Sequence, residues 1–249
     1  MLISVAELTH FFGIHPNGVL HVGAHGAEEA IDYSKHKWGS VIWVEMLPEK
    51  YEALRARFAN DTQNRVLHAA CWDTDGVRLP IFRASNGQSS SLLPPAQHLT
   101  KYPSISFAKD AEITTSRLDS ILPIDSRFDF VTLDIQGAEL RALRGLGARL
   151  ADVKWAFLEV SVLRLYEDCP LVGEIDEFMG SLGFVRIVTR MVGSRGWGDA
   201  LYINTRKVPK LTLWWLMTKA AAWSRLESLP RLRTTLTNSA RRMRRALRG

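Results

Sequence analysis

Cysteine is almost absent: Cys71 and Cys169 are the only two in 249 residues. They lie far apart in sequence, so neither a disulfide framework nor a cysteine-rich zinc site is expected, and a reducing, cytoplasmic compartment fits. No apolar run reaches the roughly 18 residues that a membrane span requires. The opening MLISVAELTHFFGI lacks a basic n-region and a small-residue cleavage site, and reads as a short helix of the mature chain rather than a signal peptide. Internal repeats are missing. His21 and His25 have no third ligand at a telling spacing, so no metal is expected.

What the chain does have is apolar residues, 46% of the total and ample for a buried core. Its length suits one α/β domain with appendages or two small domains. Charge is unevenly placed. From Thr205 onward there are twelve Lys/Arg and one acid, a net of +11, whereas residues 1–204 carry −5. The basicity therefore belongs to a tail, 205–249, and a nucleic-acid partner is not expected for the body, 1–204.

Along the body, apolar runs alternate with helical patterns. GVLHVG predicts a first buried strand, followed by a helix from about Ala27. SVIWVE predicts a second strand, and PEKYEALRARFAN a helix opened by Pro48. RVLHAACW reads as a third strand, GVRLPIFRA as an added one, and residues 85–112, rich in Ser, Pro and Gly, as a loop. FDFVTLDI, a helix in GAELRALRGLGARL, VKWAFLEV and a helix near 171–182 continue the alternation. GFVRIVTR and GDALYINT close it as a strand pair. Five βα units followed by such a pair predict a mostly parallel sheet with helices on both faces. In these sheets ligands bind beyond the carboxyl ends of the strands. The positions of interest are thus Gly23 to Glu28, Glu45, Asp73, Asp134 to Glu139, and Glu159.

In VGAHGAEE, Gly23 and Gly26 permit a sharp turn and close approach of a ligand to the backbone, and the next helix offers free N–H groups. Gly23, Ala24, His25, Gly26 and Glu28 are the candidate cofactor residues. His25 stands where a dinucleotide loop has its second glycine, which counts against a pyrophosphate ligand. Glu45 ends the second strand, where an acid can accept from both hydroxyls of a ribose. Asp73 is a third strand-end candidate. In LDIQGAEL, Asp134 closes a strand where the reacting end of a cofactor would lie, and Gly137 permits the turn into a helix. Glu139, in the first helical turn, favours the helix dipole or contacts substrate. SNGQSSSLLPP, with Gln88, Ser89 and Ser90, is a polar loop suited to hydroxyl-rich ligands. Glu159 and Trp197, an acid and an aromatic, suit a sugar face.

The ordered set HVGAHGAEE, VIWVE, NGQSSSL, TTSRLDSI, LDIQGAE, FLEV and GF…GWGDALYI resembles the FkbM family of S-adenosylmethionine-dependent methyltransferases, over about residues 17–204. The match departs at His21, where Asp is usual, at His25 for Asn, at Ala27 for a second Gly, and at Gln136 for Glu. The resemblance implies a Rossmann-like class I methyltransferase sheet, S-adenosylmethionine as cofactor, and O-methylation of a sugar, glycan or glycolipid. Its sugar-modifying members include a fucose 2-O-methyltransferase. A sugar hydroxyl is a weak nucleophile and gains from a base; Asp134 is the first candidate and His25 the second. Two other classes compete: a nicotinamide-dependent oxidoreductase, and a methyltransferase-like scaffold without catalysis, recruited by its tail.

In the tail, LTLWWLMTKAAAWSRLESL is apolar and Trp-rich. After Pro230, Leu232, Leu236, Ala240, Met243 and Leu247 recur at helical spacing among arginines. This predicts a basic amphipathic helix able to lie on an anionic membrane, at its inner face.

Overall fold

The computed structural model describes residues 1–228. The helix expected after Pro230 lies outside the described residues. The chain divides into two compact units, Met1–Val208 and Pro209–Gly249.

The first unit opens with a short helical turn, Glu7–Phe11. It continues with β1 (Gly18–Val22), α1 (Ala30–Lys35), β2 (Ser40–Glu45), α2 (Pro48–Arg57) and β3 (Asn64–His68). Then come β4 (Ala70–Cys71), β5 (Arg78–Ala84), α3 (Gln97–Lys101), β6 (Phe107–Ser116) and α4 (Leu118–Ile121). β7 (Phe130–Leu133), α5 (Glu139–Gly145), β8 (Trp155–Ser161), α6 (Val172–Ser181), β9 (Phe184–Met191) and β10 (Trp197–Asn204) complete it. Seven strands form one sheet in the order β3-β2-β1-β7-β8-β10-β9. The first five of these run parallel, and β10 is antiparallel to both β8 and β9. This is a Rossmann-like α/β fold with the antiparallel terminal pair that the sequence predicts.

β1 is central because it is apolar on both faces: all five of its residues are buried. One face packs Leu20, Val22, Val131, Leu133 and Leu158 against Leu140 and Leu143 of α5 and Ile175 and Met179 of α6. Each such side chain stabilises the fold by about 1.5–3 kcal/mol. The other face is aromatic. His21 lies 4.6 Å from the ring of Trp43, and its Nδ1 is 3.1 Å from the Tyr33 hydroxyl. Burial lowers the His21 pKa, so this residue packs as a neutral core group.

Three expectations need correction. RVLHAACW is not one strand: the chain leaves the main sheet at Ala69, and β4 joins β6 in a second, three-stranded sheet ordered β4-β6-β5. Residues 85–112 are not all loop, since they contain α3 and the first half of β6. The helix after β1 starts at Ala30, because His25 and Ala27 adopt left-handed backbone angles of φ 48° and 51°.

Candidate active site

The sheet reverses direction of progression at β1, where β2 lies on one side and β7 on the other. Ligands of open α/β sheets bind at such a point, and a cleft opens there, beyond the carboxyl ends of β1, β2 and β7. Gly23 makes the crossing possible. A Cβ on it would sit 1.9 Å from the Asp134 carbonyl oxygen, and its φ of +86° is a left-handed angle. The neighbouring loops could not approach with any other residue there.

One wall is set by Glu45, which is buried. Its Oε2 accepts the His25 main-chain N–H and its Oε1 that of Leu47, both at 2.8 Å. Burial raises its pKa, and these two N–H donors oppose the shift. Met46, Leu47, Ala69 and Leu92 give this end of the cleft an apolar lining. His25 is held through its ring: Nδ1 lies 2.7 Å from Glu28 Oε1, and Lys50 Nζ lies 3.0 Å from Nε2. An ammonium can only donate, so Nε2 accepts and Nδ1 carries the proton that goes to Glu28. Burial raises the Glu28 pKa, but the bond from His25 and the main-chain N–H donors of Glu28 and Gly26 together outweigh it, and the net shift is downward.

The opposite wall is acidic. Asp134 is exposed at the end of β7, and Gln136 Nε2 donates to its Oδ1 at 2.7 Å and to Glu159 Oε2 at 3.3 Å. Glu159 is buried. That burial, then the negative fields of Asp134 and Glu139 and a hydrogen bond with Asp134, push its carboxyl well above the usual range. The Tyr166 hydroxyl lies 2.9 Å from both the Gln136 side-chain oxygen and the Ser89 carbonyl. Gln136 itself adopts φ 55°, a strained angle of the kind that clusters at ligand sites. Gln88 and Ser90 of the polar loop line the cleft, and Ser91 Oγ ties that loop to the Gln136 carbonyl at 2.8 Å.

The profile of the Methyltransferase FkbM domain matches residues 21–186, two thirds of the chain, from the end of β1 into β9. The chain belongs to the FkbM methyltransferase family. Solved structures similar to this FkbM-family chain include a ribosomal protein L11 methylase from Lactobacillus delbrueckii subsp. bulgaricus. It is 14% identical, with 80% of this chain and 76% of that one covered, at a TM-score of 0.46. The magnesium protoporphyrin IX methyltransferase of Synechocystis PCC 6803, solved with bound SAM, is also similar. There the identity is 13%, the coverage 81% and 76%, and the TM-score 0.47. Comparison with curated proteins gives no match.

In this methyltransferase the cleft gathers Gly23, His25, Glu45, Gln88, Ser90 and Asp134. Other sequence candidates stand elsewhere. Ala24 is buried and donates its N–H to the Val44 carbonyl, and the Gly26 carbonyl accepts from Arg57 at 2.5 Å. Asp73 does not line the cleft. Burial opposes its ionisation, but Arg141, 2.7 Å away, wins and holds the pKa down. Glu139 lies under the strand-to-helix turn, where its Oε1 accepts the N–H groups of Ile135 (3.0 Å) and Gly137 (3.1 Å). It braces the turn and does not reach substrate space. Trp197 also stays out of the cleft lining; its Nε1 donates to the Tyr102 hydroxyl and its ring packs near Leu163. His25 does not suit the role of base, because both of its ring nitrogens are engaged. Sequence reasoning missed Lys50 and Tyr166. Lys50 sits in the first turn of α2, close after Glu45, and that position is a signal. Tyr166 has none, being brought to Gln136 only by the fold. Among the described residues no group of three His, Cys, Asp or Glu side chains is arranged to hold a metal ion.

Proposed function

We propose that this protein is an S-adenosylmethionine-dependent O-methyltransferase acting on a hydroxyl of a sugar, glycan or glycolipid. The observation that carries the proposal is the polarity of one cleft: a buried, backbone-anchored Glu45 at one wall and Asp134 at the other, backed by the buried carboxyl of Glu159 behind the lining.

The residues present fit the cofactor. Each Glu45 oxygen accepts one N–H and retains a further acceptor position, the requirement for holding the two hydroxyls of a ribose. Met46, Leu47 and Leu92 offer an apolar slot for a purine. The Gly23–His25 loop, with the Lys50 ammonium beside it, would hold the amino-acid end. When bound, the cofactor supplies a methyl group already activated by its sulfonium.

The chain's own residues then have two tasks. The first is to hold an acceptor oxygen in line, which is worth several orders of magnitude in rate. Gln88 and Ser90, which line the cleft, would engage the acceptor's hydroxyls. The second is to take the proton. Asp134 is exposed to the cleft and is oriented by Gln136, whose own amide is oriented by Tyr166. Burial holds the Glu159 carboxyl above the usual range, and its hydrogen bond with Asp134 would keep one carboxylate oxygen in place.

The test is transfer of labelled methyl from S-adenosylmethionine to a panel of glycans and glycolipids, with calorimetric titration of S-adenosylmethionine and of NAD. Binding of the former without the latter, and label in a base-stable ether, is the expected result. Tight NAD binding would establish an oxidoreductase. Label recovered on nitrogen or carboxylate would discard the O-methylation of sugars.

A further inference from the structure

The second unit contains α7 (Lys210–Ser228), a helix of 19 residues. Leu216, Ala220 and Trp223, at spacings of four and three, are buried. The other side carries Leu211 and Trp214, 83% and 70% exposed, with Trp215 at 42% and Met217 at 51%. Leu211, Trp214 and Trp215 stand at i, i+3 and i+4, so they form one stripe. Lys210 opens the helix beside that stripe, and Lys219 Nζ lies 3.8 Å from the centre of the Trp215 ring. An exposed helix face with two tryptophans is uncommon unless something covers it.

We propose that this face of α7, with the basic sequence that follows it, docks on an anionic lipid bilayer surface. Charge complementarity selects the occupant. Twelve Lys/Arg against a single acid lie between Thr205 and Gly249. Each basic residue near such a surface raises partitioning by roughly fivefold, and tryptophan rings favour the headgroup zone. A polyanion such as RNA would match the charge and could stack on the tryptophans, but it has no use for Leu211 and Met217, whereas an acyl-chain boundary accepts all four side chains. Lys210, Lys219, Arg225 and Glu227 interrupt the apolar sequence, and no described helix is long and apolar enough to cross a membrane. The helix therefore lies along the surface.

Co-sedimentation of the full chain with phosphatidylcholine vesicles, and with vesicles half phosphatidylglycerol, tests this at low and at high salt. Binding to the anionic vesicles at least about tenfold tighter than to the neutral ones is expected, weakened by salt. Brominated acyl chains are expected to quench tryptophan fluorescence. The double variant Trp214→Ser/Trp215→Ser, whose side chains are exposed, is expected to lose at least about tenfold in binding with its melting temperature unchanged. Equal recovery with both vesicles, or binding without quenching, overturns the proposal. Tighter binding to single-stranded RNA than to anionic vesicles overturns it too. The quenching and vesicle comparisons need no variant, so they decide the matter even if the double variant misfolds.

Discussion

Glu45 Oε2 accepts the main-chain N–H of His25 at 2.8 Å, which ties the loop after β1 to the end of β2. The same carboxylate also holds Leu47, so it shapes the cleft before any ligand arrives. Glu45→Ala is expected to lower S-adenosylmethionine affinity by about 1.5–3 kcal/mol through lost charge-assisted hydrogen bonds. It also strands the Leu47 and His25 N–H groups, at a cost of about 1–3 kcal/mol in stability. Calorimetry and thermal denaturation read the two effects separately. A folded variant with unchanged affinity would refute the ribose role, whatever its melting temperature.

Lys50 and Glu28 hold the His25 ring from its two nitrogens. Lys50→Met removes the donor at Nε2 while keeping the aliphatic stem. Because the contacts are partly solvated, stability is expected to change by no more than about 0.5 kcal/mol. Cofactor affinity is expected to fall about three- to tenfold, as the loop loses both a positive charge and a fixed ring. Titration of S-adenosylmethionine against the variant checks this; an unaltered dissociation constant would leave Lys50 a surface residue only.

Asp134→Asn keeps the shape of the side chain and removes its capacity as base. Turnover is expected to drop by roughly 10²–10⁴, with cofactor affinity changed only slightly. Gln136→Leu removes the amide that orients Asp134 and is expected to produce a smaller loss in the same parameter. Single-turnover methyl transfer separates chemistry from binding. Near-normal turnover in Asp134→Asn would show that another group takes the proton.

The strands of the main sheet were legible because a parallel sheet covered on both faces demands continuous apolar runs, as in GVLHV and FVTL. The strand ends then named Glu45, Asp134 and Glu159. The departure of the chain at Ala69 was not legible: hydrophobic content continues unbroken through Ala70 and Cys71, which are buried in a different sheet. β6 escaped notice because its faces are mostly half-exposed and polar, as in Lys109, Glu112 and Thr114. Asp73 shows the opposite failure. Its position by sequence suits a ligand, but Arg141, 68 residues away, claims the carboxylate.

Glu139 supplies a pH test of stability. Burial raises its pKa to about 7, against the opposing effect of its own N–H bonds, and burial likewise raises that of Asp199 to about 6. In the unfolded chain both ionise near 4. Below that range native and unfolded states are equally protonated and the fold keeps the full benefit of the neutral buried carboxyls. As pH rises from about 4 to 7 the unfolded chain releases these protons first, so the native state binds more, and stability declines. The slope is about 1.4 kcal/mol per pH unit for each group within its window. Glu139→Gln removes the titration yet can keep both hydrogen bonds, since Ile135 and Gly137 donate to the same oxygen, Oε1. The variant is expected to match the wild type near pH 4 and to exceed it in urea midpoint at pH 8. Parallel stability curves for the two proteins between pH 5 and 8 would show that Glu139 does not hold its proton in the native state.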